Sequence, residues 1–256
     1  MVASFGQEPD IAEGSSNLAT IETDQPGHYD ISYQLRYVEQ NQRSGRDPWS
    51  LRHTGIYHHH ERTGAVDVVV LLHPIRDPVI ENTIATLELD PVKRNLLCRT
   101  PFLLHTWLFD CYSDNWRWYL RMLGERFANE NNLAMVVNPE HAEPNASFLR
   151  VQRLRNTNDF VIFTRACCAG NLELLDRVAQ LPVANAKQLT SYQSKTKGYM
   201  ESADVLRERI QSLIDLVGEI REQLLSEQTL KADRSGTHSA CITSLKPPKL
   251  TRSFET

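Results

Sequence analysis

The sequence predicts an α+β (mixed α/β) fold, in which a small N-terminal β-sheet portion precedes a helical portion with one long C-terminal helix. Two patterns carry this prediction. Apolar and polar residues alternate over Ile31–Tyr37, which is typical of a half-buried strand. Apolar residues recur at steps of three and four from Ala203 to Leu224, which indicates an amphipathic helix. The first pattern lies near the start of the chain and the second near its end.

The bulk composition is that of a folded protein. The chain has 256 residues, of which 41% are hydrophobic, enough for a sizeable core. Its net charge of −4 is small and mixed in sign along the chain, so no nucleic-acid partner is expected. The five cysteines are odd in number and lack CxxC spacing, which indicates reduced thiols in a cytoplasmic protein. No signal peptide and no membrane-spanning apolar stretch is recognised.

The chain divides into three parts by composition. Residues 1–28 are poor in large apolar groups and are expected to form a disordered leader. Residues 29–231 are expected to form one domain, with a sheet portion at about 30–95 and a helical portion at about 100–231. Residues 232–256 contain the breaker-rich run Arg234-Ser235-Gly236 and are expected to form a disordered tail.

Three strands and one short helix are predicted in the sheet portion. The first strand is Ile31–Tyr37, and the second covers about His53–His60. The third, Ala65–His73, contains a continuous apolar run that suits a strand buried on both faces. Val79–Leu87 has helical spacing.

The helical portion begins at Thr100-Pro101, because proline suits the first position of a helix. Phe148–Leu181 is expected to hold two helices that meet near Gly170-Asn171. Within it, Phe160–Phe163 suits either a strand or a helix, and composition does not decide between them. One long helix follows, from about Lys187 to Lys231.

The histidine triplet at the end of the second strand raises the question of a metal site. His58 and His60 share one face of a strand, whereas His59 points away. Two histidines can begin a zinc site, but four ligands are the rule and no further ligand has a usual spacing. We therefore assign no metal site and retain His58 and His60 as the candidates for one. The alternative is a polar strand end exposed to water.

No catalytic motif is recognised. The sequence shows no Ser–His–Asp order, no glycine-rich phosphate loop and no HExxH element, so an enzyme is not expected. The remaining candidate for function is the long helix, whose apolar stripe predicts an interaction surface. The residues assigned to that surface are Ala203, Leu206, Ile210, Leu213, Ile214, Val217, Ile220 and Leu224.

The apolar stripe of the long helix has two interpretations. Ile214 and Leu216 flank its seam and widen it, which indicates packing against more than one neighbour. The helix can belong to the core of its own domain. It can also bind a partner helix or a second copy of the chain. Both interpretations can hold along different parts of one helix.

Several segments in order resemble fungal CorA-like transporter-domain proteins, in the portion that lies outside the membrane. The resemblance covers about residues 30–230. The segments that carry it are Ser32–Glu39, Asp47–His58, Asn115–Leu120, Phe148–Gln152 and Ser202–Gly218. In CorA-type channels, which are membrane proteins, the long helix continues into a membrane span followed by a Gly-Met-Asn loop that selects magnesium. This sequence contains neither the loop nor a span, so the pore is not carried over.

The resemblance implies a cytosolic domain of a CorA-like divalent-cation transporter family member, without transport activity of its own. Such a domain is expected to act in assembly or regulation through its long helix, as a homo-oligomer or with membrane-spanning relatives. No cofactor is indicated by the residues, and Mg²⁺ is suggested by the resemblance alone. A truncated gene product and a standalone relative remain open. The alternative function is a soluble helical scaffold unrelated to ion transport.

Overall fold

A four-stranded sheet and six helices make up the described part of the chain. The computed structural model describes residues 20–22, 28–41, 47–61, 67–73, 78–136, 144–181 and 186–243. The strands are β1 (Thr20–Glu22), β2 (His28–Gln40), β3 (Trp49–Glu61) and β4 (Asp67–Leu72). The helices are α1 (Val79–Glu88), α2 (Pro91–Arg99), α3 (Leu103–Tyr112), α4 (Asn115–Val136), α5 (Pro144–Val178) and α6 (Ala186–Thr243). The predicted α+β fold with a long C-terminal helix is confirmed.

The sheet is antiparallel, and its strands follow chain order from β1 to β4. Strands β2 and β3 pair along their whole length, from His28↔Glu61 to Gln40↔Trp49. Strand β1 pairs only with the beginning of β2, where Thr20 lies opposite Ser32. The expectation of a disordered leader over residues 1–28 is therefore wrong for residues 20–22 and 28, and the rest of the leader lies outside the described residues.

Strand β4 corrects the prediction of a strand buried on both faces. Val68 is 45% exposed and Val70 39% exposed. Val69 and Leu71, which alternate with them along the strand, are half-buried. The reason is that β4 belongs to an antiparallel sheet, and such sheets commonly bury one face and leave the other in water. A continuous apolar run therefore marks a half-buried edge strand here.

The first hydrophobic core lies between the sheet and the helices. One face of β2 contributes alternate side chains that are almost fully buried, as its period-two pattern predicts. Tyr37 stacks on Tyr112 of α3 with ring centroids 3.8 Å apart, and Phe109 stacks on Tyr192 of α6. This core includes Ile31, Tyr33, Leu35, Tyr37, Ile56, Ile80, Phe102, Leu108, Phe109, Tyr112, Leu174, Leu175, Val178, Leu189 and Tyr192.

The second hydrophobic core fills the space between α4, α5 and α6. It begins at Val38 at the end of β2 and continues along the three helices. Its members include Val38, Trp116, Leu120, Leu123, Phe127, Leu154, Val161, Cys167, Cys168, Ala203, Leu206, Ile210, Leu213, Ile214 and Val217. Helix α6 is 58 residues long and runs to Thr243. The predicted end near Lys231 and the disordered tail are therefore wrong for 232–243, while 244–256 lie outside the described residues.

Helix α5 is one continuous helix of 35 residues, so the predicted break at Gly170-Asn171 is wrong. Phe160–Phe163 is helical. The physical reason lies in the side chain of Asn171, which does not compete for its own backbone. Its Nδ2 donates to the carbonyl oxygen of Arg36 at 2.7 Å, and its Oδ1 accepts from the Arg36 amide at 3.4 Å. Asn171 thus fastens α5 to strand β2.

Helix α2 was not predicted, although its N-terminus carries standard signals. Asp90 accepts hydrogen bonds from the backbone amides of Val92 and Lys93, and Pro91 occupies the first helical position. None of its residues is buried, so no apolar period marks it in the sequence. A surface helix without a buried face can be recognised in a sequence only by its capping residues.

Replacement of Asn171 by alanine tests the contact between α5 and β2. The buried backbone groups of Arg36 lose their side-chain partners, and an unsatisfied buried group costs about 1–3 kcal/mol. We expect Asn171→Ala to lower the free energy of unfolding in urea by about that amount. Asn156→Ala, an exposed asparagine on the same helix, is the matched control and should change stability by less than about 0.5 kcal/mol. Equal losses in the two variants would contradict a specific role for Asn171.

Candidate functional site

Two histidines and one aspartate meet at the end of the β3–β4 hairpin. His60 and Asp67 are a directly opposed pair in the register of the two strands. His58 lies two residues before His60 and therefore projects from the same face of β3. The pairing brings together residues that the strand pattern alone does not connect. We call His58, His60 and Asp67 the hairpin cluster.

The ligand atoms of the hairpin cluster converge on a small volume. One nitrogen of each imidazole and one carboxylate oxygen all lie within 4.8 Å of one another. His58 Nε2 is 3.1 Å from Asp67 Oδ1, and His60 Nδ1 is 2.6 Å from the same oxygen. Because a carboxylate only accepts hydrogen bonds, both imidazoles donate to it. His58 is buried, whereas His60 and Asp67 are half-buried and reach solvent.

A buried hydrogen-bond chain extends inward from the hairpin cluster. His58 Nδ1 is 2.8 Å from Nε2 of His105 on α3, and His105 Nδ1 is 2.7 Å from Oη of Tyr33 on β2. Since His58 Nε2–H donates to Asp67, its Nδ1 accepts from His105 Nε2–H. His105 Nδ1 then accepts from the Tyr33 hydroxyl. We call the row Tyr33, His105, His58 and Asp67 the relay.

Burial keeps the inner members of the relay neutral. Burial, with a smaller contribution from the neighbouring His58, lowers the pKa of His105 to about 3. Burial also lowers the pKa of His58, against the opposing effect of Asp67. The pKa of Tyr33 is raised by burial. At neutral pH the relay is therefore a row of uncharged groups that ends at one carboxylate.

His59 lies apart from the hairpin cluster, as the alternation of the strand predicts. Its Nδ1 is 2.8 Å from Oδ1 of Asp30, and the hydroxyl of Tyr57 donates to the same oxygen at 2.8 Å. The hydrogen bond from His59 is the largest cause of the lowered pKa of Asp30, followed by that from Tyr57. This group is on the opposite face of the sheet and forms a separate site.

The structure changes the interpretation of the two candidate histidines. His58 is 1% exposed, so the alternative of a strand end exposed to water is wrong for it. Asp67, which sequence reasoning did not connect with His58 and His60, supplies a third donor. The missing information was the antiparallel register of β3 and β4, which places Asp67 opposite His60. Two imidazoles and one carboxylate do not match the all-oxygen set that Mg²⁺ prefers.

The apolar stripe of α6 is divided between two environments. The side chains of Ala203, Leu206, Ile210, Leu213, Ile214 and Val217 are buried in the second core. The internal interpretation therefore holds for this part of the helix. Ile220 and Leu224 are only half-buried, and beyond them Leu225 is 44% and Leu230 59% exposed. Leu216, which was expected to widen the buried stripe, faces solvent on the other side of the helix.

More exposed apolar side chains lie at the end of the helical bundle away from the sheet. Arg150 and Arg153 of α5 both pair with Glu130 near the end of α4, so these two helix ends are neighbours. Apolar residues with large exposed fractions lie close to these ion pairs in the sequence of both helices. They are Leu133, Met135, Phe148 and Leu149. We call these four residues the distal apolar patch.

A groove of about 690 Å³ runs between α4 and α6. Gly124 and Gly198 lie along it, and a Cβ atom added at either position would meet open space. Basic side chains dominate its rim, and Lys195 pairs with Asp114 at 2.9 Å. The basic residues that line it are Arg117, Arg121, Lys195 and Arg209. The glycines leave the groove wide, and Glu201 is the one acidic residue among the described residues that line it.

Comparison with known proteins gives a family and a fold. A family model described as CorA-like transporters matches residues 1–135. The structure of the full-length CmaX protein is similar, with a TM-score of 0.59, 13% sequence identity, and coverage of 92% of this chain and 67% of that chain. The crystal structure of the ZntB cytoplasmic domain from Vibrio parahaemolyticus RIMD 2210633 is similar with a TM-score of 0.46 and 10% identity, covering 83% of this chain and 76% of that chain. No curated protein matches the sequence. The likeness to CmaX shows a common fold.

The helices of the described residues were also compared with the dimensions of a bilayer. Within residues 20–243, apart from the gaps given above, no helix combines the length and the apolar character required to cross a membrane.

Protonation of His105 is expected to destabilise the fold in acid. Its folded pKa of about 3 lies below the ordinary value of 6.5, so the unfolded chain binds the proton first as pH falls. Stability is therefore complete above about pH 6.5 and is lost between about pH 6.5 and about 3. This one group contributes a slope of about 1.4 kcal/mol per pH unit.

Urea unfolding of the wild type and His105→Leu at several pH values, with a chelator present, measures that slope. The variant loses absolute stability at every pH, because His58 and Tyr33 lose a hydrogen-bond partner. Its pH slope should nevertheless be flatter by about 1.4 kcal/mol per pH unit between pH 6 and 4. Parallel slopes in the two proteins would show that His105 does not resist protonation.

Proposed function

The chain belongs to the family of CorA-like transporters, and we propose that it forms a cytosolic domain of a divalent-cation transporter family member that acts in assembly or regulation. In this proposal the domain binds copies of itself or membrane-spanning relatives through α6, and it is neither an enzyme nor the ion path. The observation that carries the proposal is the change in environment along α6, from a buried stripe to an exposed one.

The buried part of α6 holds the domain together and is not available to a partner. Leu213 and Val217 pack inside the second core. The same helix then continues for 26 further residues to Thr243, which at 1.5 Å per residue is about 39 Å. We call residues 218–243 the α6 extension. Its apolar residues Leu225 and Leu230 are exposed, and full burial of a leucine contributes about 1.5–3 kcal/mol.

The distal apolar patch supports assembly through the same end of the domain as the α6 extension. Arg150 of α5 pairs with Glu130 of α4, and Arg209 of α6 lies over the ring of Phe127 of α4, so the end of α4 is close to both other helices. Met135 is 70% exposed there. Exposed apolar groups concentrated at one end of a molecule are typical of an interaction surface. The proposal therefore assigns the assembly surface to the distal apolar patch and the α6 extension together.

Charge substitutions in the α6 extension test this proposal. We expect the double variant Leu225→Asp, Leu230→Asp to lose self-association, because two buried charges at an interface would be unpaired. Analytical ultracentrifugation of the full chain over a range of concentrations measures the association constant, which should fall at least about hundredfold. The matched control is Gln223→Asp, Thr229→Asp, which adds the same charges at exposed polar positions of the same segment. It should associate nearly as the wild type does.

Two results would contradict the proposal in different ways. A wild-type chain that stays monomeric at all concentrations would contradict self-assembly and leave a heterologous partner as the alternative. Equal association of both double variants would show that the α6 extension is not the interface. Leu213→Asp is the reference for core disruption and should unfold the domain, as judged by circular dichroism, because Leu213 is buried.

A further inference from the structure

We infer that the hairpin cluster is a binding site for a borderline divalent transition metal of the Zn²⁺ class, held by His58 Nε2, His60 Nδ1 and a carboxylate oxygen of Asp67. The inference rests on the hairpin geometry and on the chemistry of the donors. It does not depend on the function proposed for α6, since the two sites are formed by different elements. Nothing else in the described part of the chain offers three such ligands together.

The spacing of the three donors suits a metal of this size. In a tetrahedral site with bonds of about 2.0–2.1 Å, neighbouring ligand atoms lie about 3.3–3.4 Å apart. The nitrogens of His58 and His60 are 3.1 and 2.6 Å from Asp67 Oδ1, and all three atoms lie within 4.8 Å of one another. To admit an ion, the two distances to Asp67 Oδ1 must lengthen by about 0.2–0.8 Å, and the half-buried side chains of His60 and Asp67 have room for this movement.

The support around the cluster is that of a preorganised site. Metal-binding histidines usually hydrogen-bond through their second nitrogen, which fixes the ring and its tautomer. His58 makes that contact with His105 at 2.8 Å, inside the protein, and His105 is held in turn by Tyr33 at 2.7 Å. The ring of His60 stacks on Tyr29 with centroids 5.8 Å apart. Both imidazoles are therefore held in place on the side away from Asp67.

The donor set selects the class of metal. Imidazole nitrogen suits Zn²⁺, Co²⁺, Ni²⁺ and Cu²⁺, whereas Mg²⁺ requires oxygen ligands in an octahedral arrangement. The single carboxylate of Asp67 leaves one positive charge on a bound divalent ion. Because Asp67 and His60 reach solvent, the remaining coordination position is open to water. The site thus differs in chemistry from a magnesium site.

Metal binding imposes a defined change of tautomer on the relay. The ion takes the lone pair of His58 Nε2, so the proton of His58 moves to Nδ1, which then donates to His105 Nε2. His105 in turn carries its proton on Nδ1 and donates to the Tyr33 oxygen. His60 Nδ1 also becomes a ligand, so the proton of His60 moves to Nε2. Each of the three imidazoles therefore keeps one proton and stays neutral, and exchange with solvent provides the three transfers. The reversal is a signature that a purely structural histidine would not show.

Isothermal titration calorimetry of the metal-free full chain with ZnCl₂ tests the site. The proteins are made without a polyhistidine tag and carry Cys98→Ser, because Cys98 is an exposed thiol that competes for zinc. We expect one zinc ion to bind, and we expect Asp67→Asn and His60→Ala each to weaken binding at least about tenfold. His59→Ala is the matched control, because His59 belongs to the same triplet but contacts Asp30 on the other face. Its affinity should stay within about twofold of the parent, and excess Mg²⁺ should not displace the zinc.

Two readouts decide the outcome. Circular dichroism confirms that each variant is folded. We expect both substitutions to be tolerated, because His60 and Asp67 are only half-buried. Nitrogen-15 spectra of the histidine rings then report the tautomers of His58 and His105 before and after zinc. Zinc affinity that survives in both Asp67→Asn and His60→Ala would overturn the site. An unchanged tautomer at His58 would remove that residue from the ligand set and overturn the three-ligand assignment.

Discussion

Strand β2 is shared by both hydrophobic cores, and the positions of α3, α4 and α5 depend on it. Tyr33 and Tyr37 face the first core, and Val38 begins the second. One polar contact to β2 fixes each of three helices. Asn171 of α5 binds the backbone of Arg36, His105 of α3 binds the Tyr33 hydroxyl, and Asn115 of α4 donates to the Val38 carbonyl at 2.8 Å. Apolar burial supplies most of the stabilisation, while these directional contacts select one packing arrangement.

The local patterns of the sequence predicted the elements whose environment is simple. Period two predicted β2, and the three-four spacing predicted α6, because each of these has one clearly buried face. The errors occurred where tertiary contacts override a local signal. Gly170-Asn171 predicts a helix break, yet the side-chain amide of Asn171 donates to a strand 135 residues away in sequence. The valines of β4 indicated two buried faces, but β4 pairs antiparallel with β3 and leaves Val68 and Val70 exposed on one face.

Only part of the candidate metal site could be predicted from the sequence, because the rest of it depends on tertiary contacts. The alternation of a strand predicts that His58 and His60 share a face, which needs no knowledge of any partner. Asp67 becomes their neighbour only through the register of the β3–β4 hairpin, and a shift of one residue would turn it to the opposite face. His105 requires still more, since α3 must pack on the sheet before its ring can reach His58. Local residues therefore indicate donors, and topology decides whether they form a set.

The order of the α6 extension and its occupancy by a partner are physically linked. The packed segment that ends at Val217 provides the helical nucleus, so the extension requires only propagation, which gains little free energy per residue in water. Serine, threonine and glycine in its second half lower that gain further. A partner that covers Leu225 and Leu230 adds about 1.5–3 kcal/mol for each leucine that becomes fully buried. For a partner that binds the helical form alone, the binding free energy is also free energy of helix formation, and the two rise together.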